Sequence, residues 1–241
     1  RDAQESRGLG DVYKRQAITT TEGMAEELKH YVPKVFINRN TASEEMLKLS
    51  EEAYEKAVAE KKAEGRKTVK LGYFSGSITH NDDFILIQPA VAKIMEKYPQ
   101  TELHIAGILD IPKEFEAFKE RVIAHPFADW KKLPEMIASM DINLAPLEES
   151  IFNEAKSENK WVEAALVRVP TIASNLGAFK RMIEHNKTGI LANTCEEWYE
   201  GLEALIVDTQ KRECIAKAAY DYCKVHCVTS VSYTHLTLPT I

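Results

Sequence analysis

From Val69 onward, short apolar runs alternate with amphipathic stretches of helical length. The runs cover residues 69–74, 102–106, 122–123, 141–145, 171–173 and 189–192. Strands that stay apolar without interruption are typical of sheets buried on both faces. Repeated β-α alternation produces parallel strands joined by helical crossovers that pack on both sides of the sheet. The sequence therefore predicts an α/β fold with a parallel sheet and helices on both faces.

Composition excludes several classes of protein. The 241 residues carry 31 Lys and Arg against 37 Asp and Glu, for a net charge of −6, and 44% are hydrophobic. The mild acidity gives no electrostatic support for a nucleic-acid partner, and no apolar run is long enough to span a membrane. Four cysteines do not form a disulfide framework, so reduced thiols and a cytoplasmic location are expected.

The two ends of the chain are expected not to belong to the fold. Residues 1–16 and the terminal stretch VSYTHLTLPTI closely resemble translated sequencing adapters, as found at the ends of metagenomic reading frames. The first stretch has no apolar period of 2 or 3.6 residues. We predict that residues 1–16 and 229–241 are adapter-derived, that 1–16 are disordered, and that the natural sequence is a bacterial metagenome fragment open at both ends.

Residues 17–64 are predicted to form a separate element before the alternating region. They suggest a strand end, a helix capped by Thr21, a short strand and a charge-rich helix capped by Ser43. That last helix has a thin apolar face, which is typical of a surface or linker helix. We place a domain boundary near Gly65, with the larger domain over residues 65–228.

The loop SGSITHND follows the first strand of the larger domain. Parallel sheets of this kind bind ligands at the carboxyl ends of their strands. Gly76 permits close approach of the backbone, Ser77 and Thr79 supply hydroxyl donors, and His80 can donate to a phosphate. The loop is therefore a candidate phosphate cradle. The alternative is an ordinary polar turn with Asp82 as a helix cap.

The stretch KSENKWVEAALV contains a second group of candidate binding residues. Ser157 is positioned to cap a helix, and Lys156 precedes that helix N-terminus, where a cation and free N–H groups suit a diphosphate. Glu158 and Glu163 are five residues apart, so they do not share one helix face, but each can accept bonds from sugar hydroxyls. The alternative is an amphipathic helix whose acids face water. Trp161, like Trp130, is interpreted as a packing residue.

No metal site is predicted. Cys223, His226 and Cys227 lie within one turn of a predicted helix, and no second ligand pair accompanies them. No Asp-x-Asp motif ends a strand, and Asp82 and Asp83 are adjacent in a helix start.

These segments together resemble the donor-binding domain of GT-B glycosyltransferases of the group-one, family-four kind. GYFSGSITHNDDF, LHIAG, MDINLAPL, KSENKWVEAAL, VPTIAS and NKTGILA occur in the order of that family. The resemblance implies a Rossmann-like C-terminal half of a GT-B fold plus a fragment of the acceptor domain. It implies that Gly76, Ser77, Thr79 and His80 cradle the donor diphosphate and that Glu163, the second Glu of the E-x7-E motif, holds the ribose. The resemblance also implies that the loop HPFADW lies beside the nucleotide base.

The chain departs from the family where the first Glu is expected, because that position is Ala155. Glu154 is one place away. Our candidates for the sugar-contacting role are Lys156, Ser157 and Glu158, and Lys156 and Lys160 are the nearest substitutes for the usual phosphate-binding basic pair.

The resemblance implies a UDP-, GDP- or similar nucleotide sugar as donor substrate, no cofactor and no metal. It implies transfer with retention to a saccharide or lipid-linked acceptor through the missing domain, as in polysaccharide biosynthesis. A peripheral association of the intact parent with membranes is compatible with this role, and the fragment alone is expected to be inactive. Two alternatives stay open: a non-catalytic module that binds a nucleotide sugar, and a GT-B-type sugar epimerase. The catalytic residues stay unassigned.

Overall fold

Two parallel sheets organise the chain in a computed structural model that describes residues 16–65, 67–75, 81–107, 112–127 and 129–229. A small sheet near the N-terminus pairs β1 (Ala17–Thr19) with β2 (Val35–Ile37). A six-stranded sheet follows, formed by β3 (Val69–Phe74), β4 (Thr101–Ala106), β5 (Val122–His125), β6 (Ile142–Ala145), β7 (Thr171–Ser174) and β8 (Ile190–Ala192). Every pairing in both sheets is parallel, so the predicted α/β fold class is confirmed.

The strand order of the large sheet is β5-β4-β3-β6-β7-β8. The chain builds outward from β3 through β4 to β5, then returns to the other side of β3 and builds outward through β6 to β8. This reversal is the topological switch point of a Rossmann-like sheet. The fold therefore places its main crevice at the carboxyl ends of β3 and β6.

Helices cover both faces of the large sheet, as the alternating pattern predicts. Most begin or end close to the predicted positions. They are α1 (Glu22–Leu28), α2 (Glu44–Glu64), α3 (Asn81–Ile85), α4 (Gln88–Lys97), a 3₁₀ helix (Lys113–Arg121), α5 (Leu133–Ala138), α6 (Ile151–Glu154), α7 (Asn159–Leu166), α8 (Gly177–Met182), α9 (Cys195–Val207) and α10 (Thr209–His226).

Alternate residues of the strands pack into hydrophobic cores on opposite faces of the large sheet. Leu71 and Tyr73 pack with residues of α3, α4 and α9 on one face. On the other face, Gly72 between them lies against Met140, where an added Cβ would approach the Met140 Cγ to 2.6 Å. There α7 packs against α2, α5 and α10. Burial of both faces explains why apolar residues dominate the strands.

Local sequence signals explain where several helices start and stop. Thr21 and Ser43 accept hydrogen bonds from the backbone N–H groups of Met24 and Met46, so both predicted caps are confirmed. Helix α2 ends at Gly65, whose φ of 57° lies in the left-handed region that glycine adopts without strain. Pro89 stands in the first turn of α4 and separates it from α3, as expected for a residue that cannot donate a backbone bond.

The charge-rich helix α2 packs through its small residues. Ala53 and Ala57 are buried against Ile137 and Ala138 of α5, and most of its charged side chains remain exposed. The predicted adapter-like ends lie outside the described residues, apart from Gln16 and Thr229. No helix among the described residues has the length and apolar character needed to cross a membrane.

Candidate functional site

The sheet topology places the crevice at the carboxyl ends of β3 and β6. The loop after β3 starts at Ser75, which is buried and whose N–H donates to the Ala106 carbonyl. Gly107, at φ 104°, packs so closely on Ser75 that an added Cβ would lie 2.1 Å from the Ser75 carbonyl oxygen. This contact fixes where the loop leaves the sheet. Gly76, Ser77, Thr79 and His80, the predicted phosphate cradle, lie outside the described residues.

Asp83 joins helix α3 to the loop after β6. Its side chain is only 2% exposed. Asp83 Oδ1 accepts hydrogen bonds from the Glu148 backbone N–H at 2.8 Å and from Asn153 Nδ2 at 3.2 Å. The Lys156 ammonium lies 3.7 Å from Asp83 Oδ2. A buried carboxylate thus holds the two walls of the crevice together and orients a cation at its mouth.

Lys160 places a second cation at the same crevice. Its Nζ is buried, and no described residue forms a hydrogen bond with it. The ammonium lies 5.3 Å from the centre of the Tyr73 ring, at the end of β3. Burial lowers the pKa of Lys160 from 10.5 to about 8, although the negative charge of Asp83 acts in the opposite direction. A desolvated, unpaired ammonium of this kind is a strong site for an anion.

Glu163 lies one turn further along α7 and faces a separate pocket of about 410 Å³. Burial raises the pKa of Glu163 to about 7, while the Lys160 charge opposes that rise. Trp130 of the HPFADW loop lines the same pocket and is 45% exposed, so our interpretation of Trp130 as a packing residue was wrong. The other lining residues are Asn40, Thr41, Ala42, Ser43, Met46, Asn159 and Val162.

Glu158 points away from Glu163 toward the N-terminal segment. It is 2% exposed, and its Oε1 lies 3.9 Å from Arg39 Nη1. Arg39 also forms an ion pair with Glu22 of α1. Burial raises the pKa of Glu158 above its ordinary value, and no described residue forms a hydrogen bond with Glu158 Oε2. The two glutamates therefore have different surroundings: Glu163 faces a pocket, and Glu158 joins an ion network with Arg39 and Glu22.

Ser157 does not cap helix α7, contrary to our prediction. The N-cap residue is Glu158 and the helix begins at Asn159, so the Ser157 hydroxyl lies outside the first turn. Its Oγ instead accepts a hydrogen bond from Asn40 Nδ2 at 3.1 Å. Trp161 is buried as predicted, and its indole N–H donates to the Thr188 carbonyl at 2.8 Å.

Sequence reasoning missed Asp83 and Arg39. Asp83 was interpreted only as part of a helix start, and its partners lie far along the chain, Glu148 in the loop after β6 and Asn153 in α6. One signal was available for Asp83, because a second acid directly after Asp82 exceeds what a helix start requires. Within the described ranges, no group of three or more His, Cys, Asp or Glu residues is arranged to hold a metal ion.

Comparisons with known proteins agree with the fold. A family model described as "Glycosyl transferases group 1" matches residues 70–208. HepE of Anabaena, solved in complex with UDP, is similar with a TM-score of 0.74 and 17% identity, over 94% of this chain and 64% of that one. WaaG, a glycosyltransferase involved in lipopolysaccharide biosynthesis, gives a TM-score of 0.69 and 17% identity over 90% of this chain and 60% of that one.

TarM of S. aureus, solved with fondaparinux, alpha-GlcNAc-glycerol and UDP, gives a TM-score of 0.68 and 12% identity over 91% of this chain and 42% of that one. At these identities the likenesses show the fold. The chain spans less than two thirds of the length of each of these three proteins. No curated protein sequence matches the chain.

Proposed function

Because the chain belongs to the group 1 glycosyltransferases, we propose that it binds a nucleoside diphosphate sugar in the crevice between β3 and β6. Residues 65–228 form the donor-binding domain in this proposal, and residues 17–64 are the edge of the acceptor domain with its linker helix. A longer parent protein transfers the sugar to a saccharide or lipid-linked acceptor, with retention and without a metal ion. The fold shared with HepE, whose structure contains UDP, supports a uridine nucleotide as the first donor to test.

The observation that carries this proposal is the unpaired, buried ammonium of Lys160. A buried ammonium without a partner lowers the stability of the protein, so the presence of Lys160 at this position needs a compensating role. Lys156 adds a second positive charge on the same crevice, and Lys160 lies in the first turn of α7, whose N-cap residue Glu158 forms no side-chain capping bond. Two cations and a helix N-terminus match the charge of a diphosphate.

The same groups explain how the crevice would assist transfer. When the bond from the sugar to the diphosphate breaks, negative charge grows on the leaving nucleotide. Ammonium groups that are already oriented and desolvated stabilise this charge without reorganising. Asp83 contributes by orienting Lys156. The predicted loop residues Gly76, Ser77, Thr79 and His80 complete the cradle in this proposal.

Glu163 is assigned to the ribose. Its pocket of about 410 Å³ adjoins the crevice through α7 and receives Trp130 from the loop after β5. A carboxylate accepts hydrogen bonds from two vicinal hydroxyls, which a ribose presents. The raised pKa of Glu163 indicates a carboxylate short of donors, as expected for a group that receives them from a ligand.

A non-catalytic module that binds a nucleotide sugar is the second candidate. Ala155 occupies the place of the first motif Glu, and both neighbouring carboxylates are engaged elsewhere. Glu154 lies 3.7 Å from Arg181, and Glu158 lies 3.9 Å from Arg39. If Ser157 and Lys156 contact the sugar of a bound donor, that result supports transfer. If the crevice holds only the nucleotide part, that result supports the binding module.

Calorimetry with UDP, GDP and UMP tests the binding step. The proposal expects saturable heat with UDP or GDP, and at least tenfold weaker binding of UMP, because one phosphate and its contacts are missing. Folded protein that gives no heat with either diphosphate refutes donor binding. If UMP binds as tightly as UDP, the proposed contact of the two lysines with the diphosphate is contradicted.

A further inference from the structure

A second pocket, of about 480 Å³, lies at the amino edge of the large sheet, away from the crevice. It is bounded by α2, α10 and the residues that precede β6 and β7. Its charged lining residues are four cations and two acids: Lys61, Arg168, Arg212, Lys217, Asp141 and Glu213. The lining therefore carries a net charge of +2, although the whole chain carries −6.

Arg168 holds an unusual backbone position in this pocket. Its N–H donates to the Ala165 carbonyl, and the Val169 N–H donates to the Ala164 carbonyl. This pair of bonds is the Schellman motif that ends α7, in which the residue at the Arg168 position adopts a left-handed conformation. Arg168 has φ 55°, where glycine is favoured. A residue with a Cβ persists at such a position only when other contacts support it.

The support comes from two tyrosine rings. The Arg168 guanidinium carbon lies 3.9 Å from the centre of the Tyr54 ring and 3.8 Å from that of the Tyr220 ring. The Tyr220 hydroxyl donates to Glu51 at 2.9 Å, and Lys224 binds the same carboxylate. The guanidinium is thus clamped between two flat surfaces, which leaves the N–H donors at its rim directed outward.

The other cations of the pocket already have partners. Lys61 donates to the Met140 carbonyl and pairs with Asp141, Arg212 donates to the Leu205 carbonyl, and Lys217 pairs with Asp221. Among the described residues, the Arg168 guanidinium forms no hydrogen bond or ion pair, and its donors are not among the buried ones without partners. The nearby Glu51 is occupied by Lys224 and Tyr220, whose hydrogen bonds lower the pKa of Glu51 more than the Arg168 charge does.

We propose that this pocket binds a phosphate monoester, with the phosphate on the rim of Arg168. A clamped guanidinium presents two parallel N–H groups that match two phosphate oxygens. A dianion balances the net +2 of the lining, and Val58, Met140 and Pro170 form apolar walls for the organic substituent. The site shares no residue with the donor crevice, so it is independent of the proposed function.

The test follows the side-chain Nε–H signal of Arg168 by NMR in the isotope-labelled full chain. The signal is assigned by its absence in Arg168→Gly. Glycine suits the left-handed position, so this variant keeps the backbone conformation while it removes the side chain with its guanidinium. Phenyl phosphate is expected to shift the signal saturably, to bind more tightly than inorganic phosphate, and to bind more tightly than the monoanion benzoate.

Calorimetry provides the matching affinities. Arg168→Gly is expected to weaken phenyl phosphate binding at this site about tenfold or more. Arg168→Lys is expected to weaken it as well, because an ammonium lacks the two parallel N–H groups of the guanidinium. Lys187→Gln, which removes an exposed cation elsewhere on the surface, is expected to leave binding unchanged. The far-UV circular dichroism spectrum serves as a fold control in each variant. An Arg168 signal that does not move up to about 10 mM phenyl phosphate, or equal affinity in Arg168→Gly and wild type, overturns the proposal.

Discussion

Replacing Lys160 by Met should stabilise the protein while weakening nucleotide binding. Burial lowers the pKa of Lys160 from 10.5 to about 8. At ~1.4 kcal/mol per pKa unit, keeping the ammonium charged at pH 7 costs the folded protein ~3 kcal/mol. Because methionine has similar length and volume and no charge, the variant removes this cost without opening a large cavity. We expect a gain of ~1–3 kcal/mol in the free energy of unfolding at pH 7.

The same variant removes one charge-assisted hydrogen bond to the diphosphate. Such bonds contribute ~1.5–3 kcal/mol, so UDP should bind about 10- to 100-fold more weakly. A residue that lowers stability and raises affinity at once is the expected signature of a binding group held ready in advance.

The pH dependence of stability gives an internal check. The cost of the charged Lys160 is fully present below pH 8, and it disappears as the pH rises from about 8 toward 10.5. In that window the unfolded chain keeps a proton that the folded protein has released, so the wild type gains stability. The stability difference between Lys160→Met and wild type should therefore be smaller at pH 9.5 than at pH 7.

Urea unfolding at both pH values, together with calorimetry with UDP, measures these effects. Lys48→Met is the matched control, because Lys48 is 77% exposed on α2 and far from any crevice contact. If Lys160→Met is less stable than wild type at pH 7, the inference that the buried Lys160 ammonium lacks a partner is wrong. Unchanged UDP affinity in a folded variant contradicts its contact with the diphosphate.

Two further predictions concern carboxylates. Glu163→Gln should weaken UDP binding about tenfold but should weaken binding of 2′,3′-dideoxy-UDP much less, because that nucleotide lacks the ribose hydroxyls. Calorimetry measures both affinities, and an equal loss of affinity for the two nucleotides refutes the ribose contact. Lys97, Tyr98 and Tyr199 donate to Glu203 and lower its pKa from 4.5 to about 2. The stability that this carboxylate contributes is present above pH ~4.5 and is lost as the pH falls toward 2, so Glu203→Gln should flatten the acid-unfolding profile in that range. A profile as steep as that of the wild type would show that the three contacts contribute nothing.

The large sheet was predictable because its signals are local. The largely apolar run at 69–74 became β3 without adjustment, and Pro89 separates α3 from α4 where a missing N–H requires it. The capping side chain of Ser43 acts within one turn, so its residue type was sufficient. Such features depend on a residue and its immediate neighbours.

The site was less predictable because its groups are assembled from distant segments. Lys160 is buried by contact with the Tyr73 ring, and Asp83 finds its partners in the loop after β6. Neither contact leaves a periodic signal in the sequence. Ser157 was also mispredicted for this reason. Helix α7 starts one residue later than expected, so Glu158 is the N-cap and the Ser157 hydroxyl accepts a hydrogen bond from Asn40.

A crystal structure of the chain with UDP tests the proposed position of the diphosphate most directly. We expect density for both phosphates between the ends of β3 and β6, with an oxygen within hydrogen-bonding distance of Lys160 Nζ and ribose hydroxyls on Glu163. UDP bound at another edge of the sheet, with the Lys160 ammonium still unpaired, would contradict it.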